Sequence, residues 1–212
     1  MAKTRYLSEA EKREGQKHLY LQEMYNGIGY SWLGDTIVYL MAIYFSASNI
    51  ALGYISAAAY ITGVVLPFVP RIFHGKNHIK VQSTVWAFRG FVCLLYLGLY
   101  FLSGKSAVVL LLVVYTLFNL FRMIGVALHD STVRTVSSSS NRGRVVAGMN
   151  TAYQGASVVV RIITAVVLSI ERFAGLVGLL ALQVAGVVAN FLSARQMAKI
   201  PSRTTIMHKK GR

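Results

Sequence analysis

The chain has 212 residues, 55% of them hydrophobic, and carries a net charge of +15. In a soluble protein such a charge would indicate nucleic-acid binding, but here the basic residues lie between long apolar runs, so we exclude a nucleic-acid partner. The composition favours an all-α membrane protein, because a chain in lipid must satisfy its backbone polar groups within its own helices.

Residues 1–25 are charged and contain no stretch typical of a cleavable signal peptide. Ser8 followed by Glu11 is typical of a capping box at the start of a helix. We expect a cytosolic N-terminal segment here, either a short amphipathic helix at the membrane surface or a solvated tail.

Six hydrophobic stretches follow, which we number spans 1 to 6. They cover residues 27–47, 50–73, 81–102, 106–128, 145–170 and 173–196. Each has about 20 residues or more, enough to cross a hydrocarbon core of about 30 Å as a helix. The expected organisation is a cytosolic segment at 1–25, a bundle of six transmembrane helices at 26–197 and a basic cytosolic tail at 198–212.

Lysine and arginine accumulate in alternate connections. They lie before span 1, between spans 2 and 3, between spans 4 and 5 and after span 6, whereas the other connections contain only Lys105 and Arg172. The positive-inside rule then predicts that both termini lie on the cytoplasmic side of the cell membrane. Five residues of the basic connections are expected to make charge contacts on that side: Arg71, Asp130, Arg134, Arg142 and Arg144. Asp130 is expected to pair with Arg71 or with Arg134.

The connections at 48–49, 103–105 and 171–172 are so short that the helices they join must be antiparallel neighbours. Spans 2 and 5 also share a weak similarity, which begins at Gly53 and at Gly148. Such a pairing is typical of a 3+3 inverted repeat, in which the first and last three spans have the same fold in opposite orientations.

Four ionisable residues fall within the spans: Asp35, Arg89, Arg122 and Arg161. A charge at membrane depth costs about 2.5–3.5 kcal/mol, so each needs a reason to be there. With a helix rise of about 1.5 Å per residue, Asp35 lies ~12 Å and Arg122 ~9 Å from the cytoplasmic side, so the two would meet if spans 1 and 4 are neighbours. Arg89 is interpreted as a residue whose side chain extends to the inner interface.

Asp35 is the strongest single candidate for function, since Trp32 and Tyr39 share its helical face. Two interpretations fit it: a carboxylate that couples to an ion or contacts the substrate, or a structural salt-bridge partner of Arg122 or Arg161. The two arginines are in turn candidates for anchoring an anionic substrate, because guanidinium groups suit carboxylate and phosphate.

Asn150 and Gln154 in span 5 complete the set of expected pathway residues. They either line the same cavity as Asp35 or connect helices by hydrogen bonds. The expected substrate and ion pathway therefore contains Asp35, Arg122, Arg161, Trp32, Tyr39, Asn150 and Gln154.

No enzyme chemistry is indicated by the sequence. Cys93 is the single cysteine, His74 and His78 lie in a connection without a carboxylate, and His129-Asp130-Ser131 cannot form a catalytic triad as sequence neighbours. We therefore expect the chain not to be an enzyme and to have no metal site and no cofactor.

Three short motifs resemble those of a known transporter family. They are Leu33-Gly34-Asp35 in span 1, Arg122-Met-Ile-Gly125 at the end of span 4, and Asn141-Arg-Gly-Arg144 followed by Gly148 at the start of span 5. Over about residues 20–200 the chain resembles the N-terminal six-helix half of the major facilitator superfamily, in particular its drug-efflux-like members.

The chain also departs from that family's pattern. The connection at 71–80 lacks the aspartate of the family's loop between helices 2 and 3, and Gly155 is followed by Ala156 where the antiporters have proline. The chain has six spans where the usual member has twelve. The resemblance therefore does not imply the charge relay of that loop or drug–proton antiport.

The resemblance implies a secondary transporter of half size or truncated, with a bundle built as a 3+3 inverted repeat. It would move a small solute by alternating access once it pairs with a second six-helix half, from the same chain or another. The excess of arginine within the spans favours an anionic solute. The alternative is a non-transporting membrane scaffold or assembly subunit. The expected partners are the lipid bilayer, a small-molecule substrate and the second half.

Overall fold

The computed structural model describes residues 7–203 and 205–206 of the chain. These residues are all-helical, with eight α-helices and three short 3₁₀ segments that continue or connect them. The α-helices are α1 Glu9–Leu33, α2 Asp35–Tyr44, α3 Asn49–Thr62, α4 Val69–Ile72, α5 His78–Cys93, α6 Gly104–Val136, α7 Arg142–Ser169 and α8 Leu176–Ala198. The 3₁₀ segments are Gly63–Phe68, Leu94–Phe101 and Glu171–Phe173.

Within the described residues, five continuous helical stretches are long and apolar enough to cross a membrane, and they coincide with spans 2 to 6. They are Asn49–Ile72, His78–Phe101, Gly104–Val136, Arg142–Ser169 and Leu176–Ala198. These five helices support the prediction of an integral membrane protein.

Span 1 differs from the prediction because its helix is interrupted. α1 ends at Leu33 and α2 begins at Asp35, with Gly34 in an extended conformation between them. A Cβ atom at Gly34 would lie 2.6 Å from the carbonyl oxygen of Tyr30, so a larger residue does not fit. α2 has 10 residues, about 15 Å of helix, and cannot cross the hydrocarbon core alone. The prediction of one continuous helix here was wrong.

The N-terminal segment and the first part of span 1 form a single helix. α1 begins at the predicted capping box, in which the Glu11 N–H donates to Ser8 Oγ at 3.3 Å and the Ser8 N–H donates to Glu11 Oε2 at 2.8 Å. Leu19 is fully buried, and Gln16 Nε2 donates to the carbonyl oxygen of Val136 at 2.7 Å. Residues 9–25 are therefore packed against the bundle and do not form a solvated tail.

The second halves of spans 2 and 3 are wound as 3₁₀ helix, at Gly63–Phe68 and Leu94–Phe101. Pro67 lies within the first of these segments. Proline has no N–H to donate and its ring disturbs the preceding helical turn, which accounts for the change of pitch in span 2. The helix resumes after it, so Pro67 changes the winding of span 2 without ending the span.

Span 4 is longer than its apolar stretch predicted. α6 continues to Val136, and the predicted loop at 129–144 is reduced to residues 137–141. Leu128, Thr132 and Val136 are all buried at a spacing of four residues, which places them on one helical face. The polar residues between them led to the prediction of a loop, but they lie on the exposed side of an amphipathic helix end.

The spans pack in a pattern that is symmetric under exchange. In their principal contacts, span 1 packs against spans 5 and 6, span 4 packs against spans 2 and 3, and span 3 also packs against span 6. Exchanging spans 1 and 4, 2 and 5, and 3 and 6 reproduces the same pairs. Spans 2 and 5, each with one principal neighbour, are the least buried of the five continuous spans.

Glycines allow close approaches between spans. A Cβ atom at Gly29 in span 1 would lie 3.2 Å from the carbonyl oxygen of Gly186 in span 6. A Cβ atom at Gly125 in span 4 would lie 1.3 Å from Cζ3 of Trp86 in span 3. Small residues at such crossings bring helix backbones together in lipid. These two crossings correspond to each other under the exchange of spans.

The start of α1 and the end of α8 lie at one end of the bundle, which we call the termini end. There the segment after α8 runs beside the connection between spans 2 and 3, where the Ile206 N–H donates to the Lys76 carbonyl oxygen at 2.9 Å. Arg203 Nη2 forms an ion pair with Glu11 Oε1 at 2.5 Å. The described part of the predicted basic tail is thus docked on the bundle, whereas residues 204 and 207–212 lie outside the described residues.

Candidate functional site

Asp35 is the first residue of α2 and is bonded to tyrosines of two spans. Its Oδ1 atom accepts a hydrogen bond from the hydroxyl of Tyr30 in span 1 at 3.3 Å and a second from the hydroxyl of Tyr115 in span 4. The carboxylate itself is exposed. Spans 1 and 4 therefore meet at Asp35, as the depth of the charges predicted, but through a tyrosine and not through an arginine.

The break at Gly34 gives Asp35 a favourable position for a negative charge. At the first residue of a helix, the unpaired backbone N–H groups and the helix dipole stabilise an anion. Among the described residues, Asp35 has no ion pair within 4.0 Å. The alternative of a salt bridge to Arg122 or Arg161 is thus not found. Tyrosine hydroxyls and the N-terminus of α2 stabilise the carboxylate instead.

Arg122 lies on the same face of the bundle as Asp35. Its guanidinium carbon is 4.7 Å from the centroid of the Tyr30 ring, a cation–π geometry. The side chain is partly exposed, and within the described residues it has neither a hydrogen bond nor an ion pair to a carboxylate. Its five N–H donors are therefore oriented by the ring and not used by a carboxylate of the same chain.

Span 5 adds a polar stripe to this face. Asn150, Gln154 and Arg161 are all exposed, and their spacings of four and eleven residues place them within about 40° of one another around α7. Electrostatic interactions link Tyr153 on the same helix to both Arg122 and Arg161. Spans 1, 4 and 5 thus bring a carboxylate and two guanidinium groups to one open face of the bundle. We call this surface the charged face.

Trp32 and Tyr39 hold neighbouring spans together beside the charged face. Trp32 Nε1 donates to Oγ1 of Thr164 in span 5 at 2.8 Å, and the Tyr39 hydroxyl donates to the carbonyl oxygen of Leu52 in span 2 at 2.8 Å. Both side chains are partly buried. In this arrangement their polar atoms are occupied by helix-to-helix hydrogen bonds.

The residues expected to make charge contacts lie at the termini end and differ in what they contact. Arg134 Nη2 pairs with Asp130 Oδ2 at 2.6 Å, one of the two pairings predicted for this aspartate. Arg142 Nε donates to Ser137 Oγ at 3.5 Å, whereas Arg71 and Arg144 are exposed. The contact between Asp130 and Arg71 is not found among the described residues.

A cavity of about 560 Å³ lies at the termini end. Its lysine and arginine side chains are Lys12, Arg134 and Arg203, and each forms an ion pair with a carboxylate of the chain. The positive charge of its wall is therefore balanced, and the cavity is a weaker candidate for binding an anion than the charged face.

Arg89 is the residue that the sequence interpretation placed wrongly. It does not extend to the interface but is 1% exposed in the centre of the bundle. Its Nε donates to Asn190 Oδ1 in span 6 at 2.7 Å, and its Nη2 donates to Asn26 Oδ1 in α1 at 2.8 Å. The guanidinium carbon also lies 4.6 Å from the centroid of the Trp86 ring. Its polar atoms are thus used within the protein.

The hydrogen bonds of Arg89 continue to a buried carboxylate. Asn26 Nδ2 donates to Glu23 Oε2 at 3.2 Å, and His129 Nδ1 lies 3.8 Å from Glu23 Oε1. Glu23 precedes span 1 and is only 7% exposed. Burial raises the pKa of the Glu23 carboxyl, and His129, the hydrogen bond from Asn26 and Arg89 act in the opposite direction. We call Glu23, Asn26, Arg89 and Asn190 the buried polar chain.

Sequence reasoning missed Glu23 because it lies outside the hydrophobic stretches. One signal was available: Leu19, Glu23 and Asn26 lie three or four residues apart, so Glu23 shares a helical face with an apolar residue. An acidic residue in register with an apolar stripe is expected to be buried once that stripe packs.

Further polar pairs connect the spans in the interior. Gln22 Nε2 donates to Ser193 Oγ at 3.2 Å, and Thr132 Oγ1 donates to Gln82 Oε1 at 2.5 Å. Such pairs contribute about 0.6 kcal/mol on average between membrane helices. They hold α1 to α8 and α5 to α6 close to the buried polar chain.

The chain matches no model of a protein family, no curated protein sequence and no solved structure. The likeness to the major facilitator superfamily thus stays a prediction that rests on the motifs quoted for it.

Proposed function

We propose that this chain is one half of a membrane transport protein of the major facilitator type and that it moves a small anionic solute when paired with a second six-helix half. The observation that carries the proposal is the charged face, where Asp35, Arg122 and Arg161 are partly or fully exposed within apolar helices. Each charge turned towards lipid would cost about 2.5–3.5 kcal/mol. Water or protein must therefore cover this face.

The packing pattern supports an inverted repeat. Exchange of spans 1 to 3 with spans 4 to 6 reproduces the principal contacts, as it would for two copies of a three-helix unit. In transporters built this way, the substrate site lies near the middle of the bilayer and uses interrupted helices. Span 1 is interrupted at Gly34, directly before Asp35. The interruption and the charges thus fall at the same place.

The charges on this face favour an anionic solute. Arg89 is fully buried and bonded to asparagines, so it does not count towards the charge that a solute would meet. Arg122 and Arg161 remain, against one carboxylate that already accepts two hydrogen bonds. A carboxylate or phosphate group suits the planar donors of guanidinium.

Cysteine labelling in membranes tests whether the charged face is lined by water. In a Cys93→Ser background, Gln154→Cys is expected to react with a membrane-impermeant thiol reagent. Val159→Cys, five residues further along the same helix and exposed on its other flank, is the matched control and is expected to react only with a membrane-permeant reagent. Equal protection of both cysteines from the impermeant reagent would favour the alternative of a non-transporting scaffold.

Transport itself is tested with the purified chain in liposomes, using a panel of small carboxylates and organic phosphates. We expect uptake that saturates with concentration and that requires two halves, either covalently joined or co-reconstituted. Failure of every assembly to move any anion, in protein that is folded and labelled as above, would contradict the proposal.

A further inference from the structure

The buried polar chain has an unusual carboxylate at its end. Glu23 is 7% exposed, and its helix packs against α7 and α8, with α6 contributing His129. Taking a carboxylate out of water costs several kcal/mol unless it is neutralised. Among the described residues, no lysine or arginine lies within 4.0 Å of it.

The contacts of Glu23 neutralise it only in part. Asn26 donates one neutral hydrogen bond at 3.2 Å, and Asn26 separates Glu23 from the charge of Arg89. His129 Nδ1 is 3.8 Å away, beyond hydrogen-bond distance. The carboxylate thus lacks the direct, bidentate partner that a permanently ionised buried acid requires.

The other titratable groups around Glu23 do not supply that partner. From α7, Tyr153 faces it with a neutral hydroxyl. Arg195, the one titratable residue of α8, is exposed. The titratable residues of α2 are Asp35, Tyr39 and Tyr44, and the Asp35 carboxylate is bonded to tyrosines. On α6, Arg122 stacks on Tyr30 and leaves His129 as the group beside the carboxylate.

His129 connects the buried carboxylate with the termini end. Its side chain is 35% exposed, whereas that of Glu23 is 9% exposed. The imidazole therefore stands between Glu23 and water, and its ring nitrogens can take up and release a proton.

We propose that Glu23 is a proton-binding site that exchanges its proton with water at the termini end, past His129. The buried polar chain couples the charge of Glu23 to spans 3 and 6. The proton adds to a carboxylate oxygen of Glu23, and no other bond forms or breaks. With Glu23 ionised, the Asn26 amide is held between the carboxylate and Arg89. With Glu23 protonated, the attraction of the negative charge for the Asn26 amide is lost. The next step rests on the proposed transport function: the proton is the coupling ion, and Glu23, not Asp35, is the group that carries it.

Infrared difference spectroscopy of the purified full chain tests the site without any substrate. A carbonyl band of a protonated carboxylic acid is expected to titrate above the range of ordinary glutamates and to be absent in Glu23→Gln, which preserves the shape of the side chain. Glu14→Gln, at an exposed position of the same helix, is the matched control and should retain the band. A band that persists in Glu23→Gln, or no such band in the parent protein, would overturn the proposal.

His129→Ala provides a second measurement. Because a charged imidazole favours the carboxylate, its removal is expected to move the titration of the band to higher pH. An unchanged midpoint of the band's titration would contradict the part of the proposal that assigns a role to His129. Glu23→Gln protein with the thermal stability of the parent would show that the lost band does not result from unfolding.

Failure of the proton site and failure of the proposed function are distinguishable. If the band titrates as expected but no anion is transported, the proton site stands and the transport proposal fails. If anions are transported at a rate independent of the pH gradient and equally well by Glu23→Gln, transport stands and the assignment of the coupling ion is overturned.

Discussion

Arg89 and Asn190 face each other across spans 3 and 6, with Arg89 Nε 2.7 Å from Asn190 Oδ1. Asn190 Nδ2 also donates to the carbonyl oxygen of Trp86 at 2.6 Å, so one amide satisfies both a guanidinium and a backbone group. A buried charge held in this way stabilises a structure only while its partners are present. This pair therefore determines how spans 3 and 6 tolerate substitution.

Asn190→Ala is expected to lower the free energy of unfolding by about 2–3 kcal/mol, because it removes a hydrogen bond to a charged group and leaves Arg89 under-satisfied. The combination Arg89→Leu with Asn190→Leu should recover part of this loss, since no buried charge remains. Reversible unfolding in bicelles measures both. Arg195→Leu, exposed on the same helix as Asn190, is the control and should change stability little.

Gly125, the one glycine of span 4, is expected not to tolerate a larger residue. A Cβ atom there would lie 1.3 Å from the Trp86 ring, so Gly125→Ala should separate spans 3 and 4 and lower the thermal midpoint markedly. Gly155→Ala in span 5 is the matched control, because a Cβ atom at Gly155 meets nothing within 4 Å. Equal midpoints for the two variants would contradict the packing described for this crossing.

The continuous spans could be predicted from the sequence because length and hydropathy are local properties. Helix rise alone placed Asp35 and Arg122 at similar depths, ~12 and ~9 Å, and the structure does bring Asp35 to span 4, through Tyr115. That only glycine fits at position 34 depends on a contact, the 2.6 Å between a Cβ atom there and the carbonyl oxygen of Tyr30. Local pattern alone contains no such contact.

The position of Arg89 could not be predicted for a different reason. Its partners Asn26 and Asn190 lie 63 and 101 residues away in the chain, so its burial depends on how spans 1, 3 and 6 meet. A single arginine eight residues into an apolar stretch is compatible with extension to the interface and with burial. Only the packing of the spans decides between them.

The buried carboxyl of Glu23 predicts a pH dependence of stability. Burial raises its pKa in the folded state, so between its ordinary value of 4.5 and the folded value the folded protein binds more protons than the unfolded chain. The free energy of unfolding should therefore fall as pH rises through this window. Thermal unfolding as a function of pH measures the slope, which should be smaller in Glu23→Gln and unchanged in Glu14→Gln.

Tyr115→Phe and Asp35→Asn separate the structural and functional roles of Asp35. Tyr115→Phe removes one donor to the carboxylate and is expected to cost about 1.5–3 kcal/mol of stability. Asp35→Asn keeps the shape of the side chain but removes the charge. On the proposed function, anion transport should fall about 10-fold in Asp35→Asn, a loss of about 1.4 kcal/mol, because the carboxylate holds the hydroxyl of Tyr30, on whose ring Arg122 stacks. Transport at the parent rate in folded Asp35→Asn would leave this residue a structural role only.

Arg122 is expected to carry the recognition of the anion, because its guanidinium is stacked on Tyr30 and has no carboxylate partner among the described residues. Small organic anions that raise the thermal midpoint of the parent protein should fail to do so in Arg122→Ala. Arg122→Lys keeps the charge but not the planar donors, so its response should be intermediate. Arg172→Ala, at an exposed position in the connection between spans 5 and 6, removes the same charge away from the charged face. If Arg172→Ala abolished the response as fully as Arg122→Ala, the effect would come from net charge and Arg122 would not be the anchor.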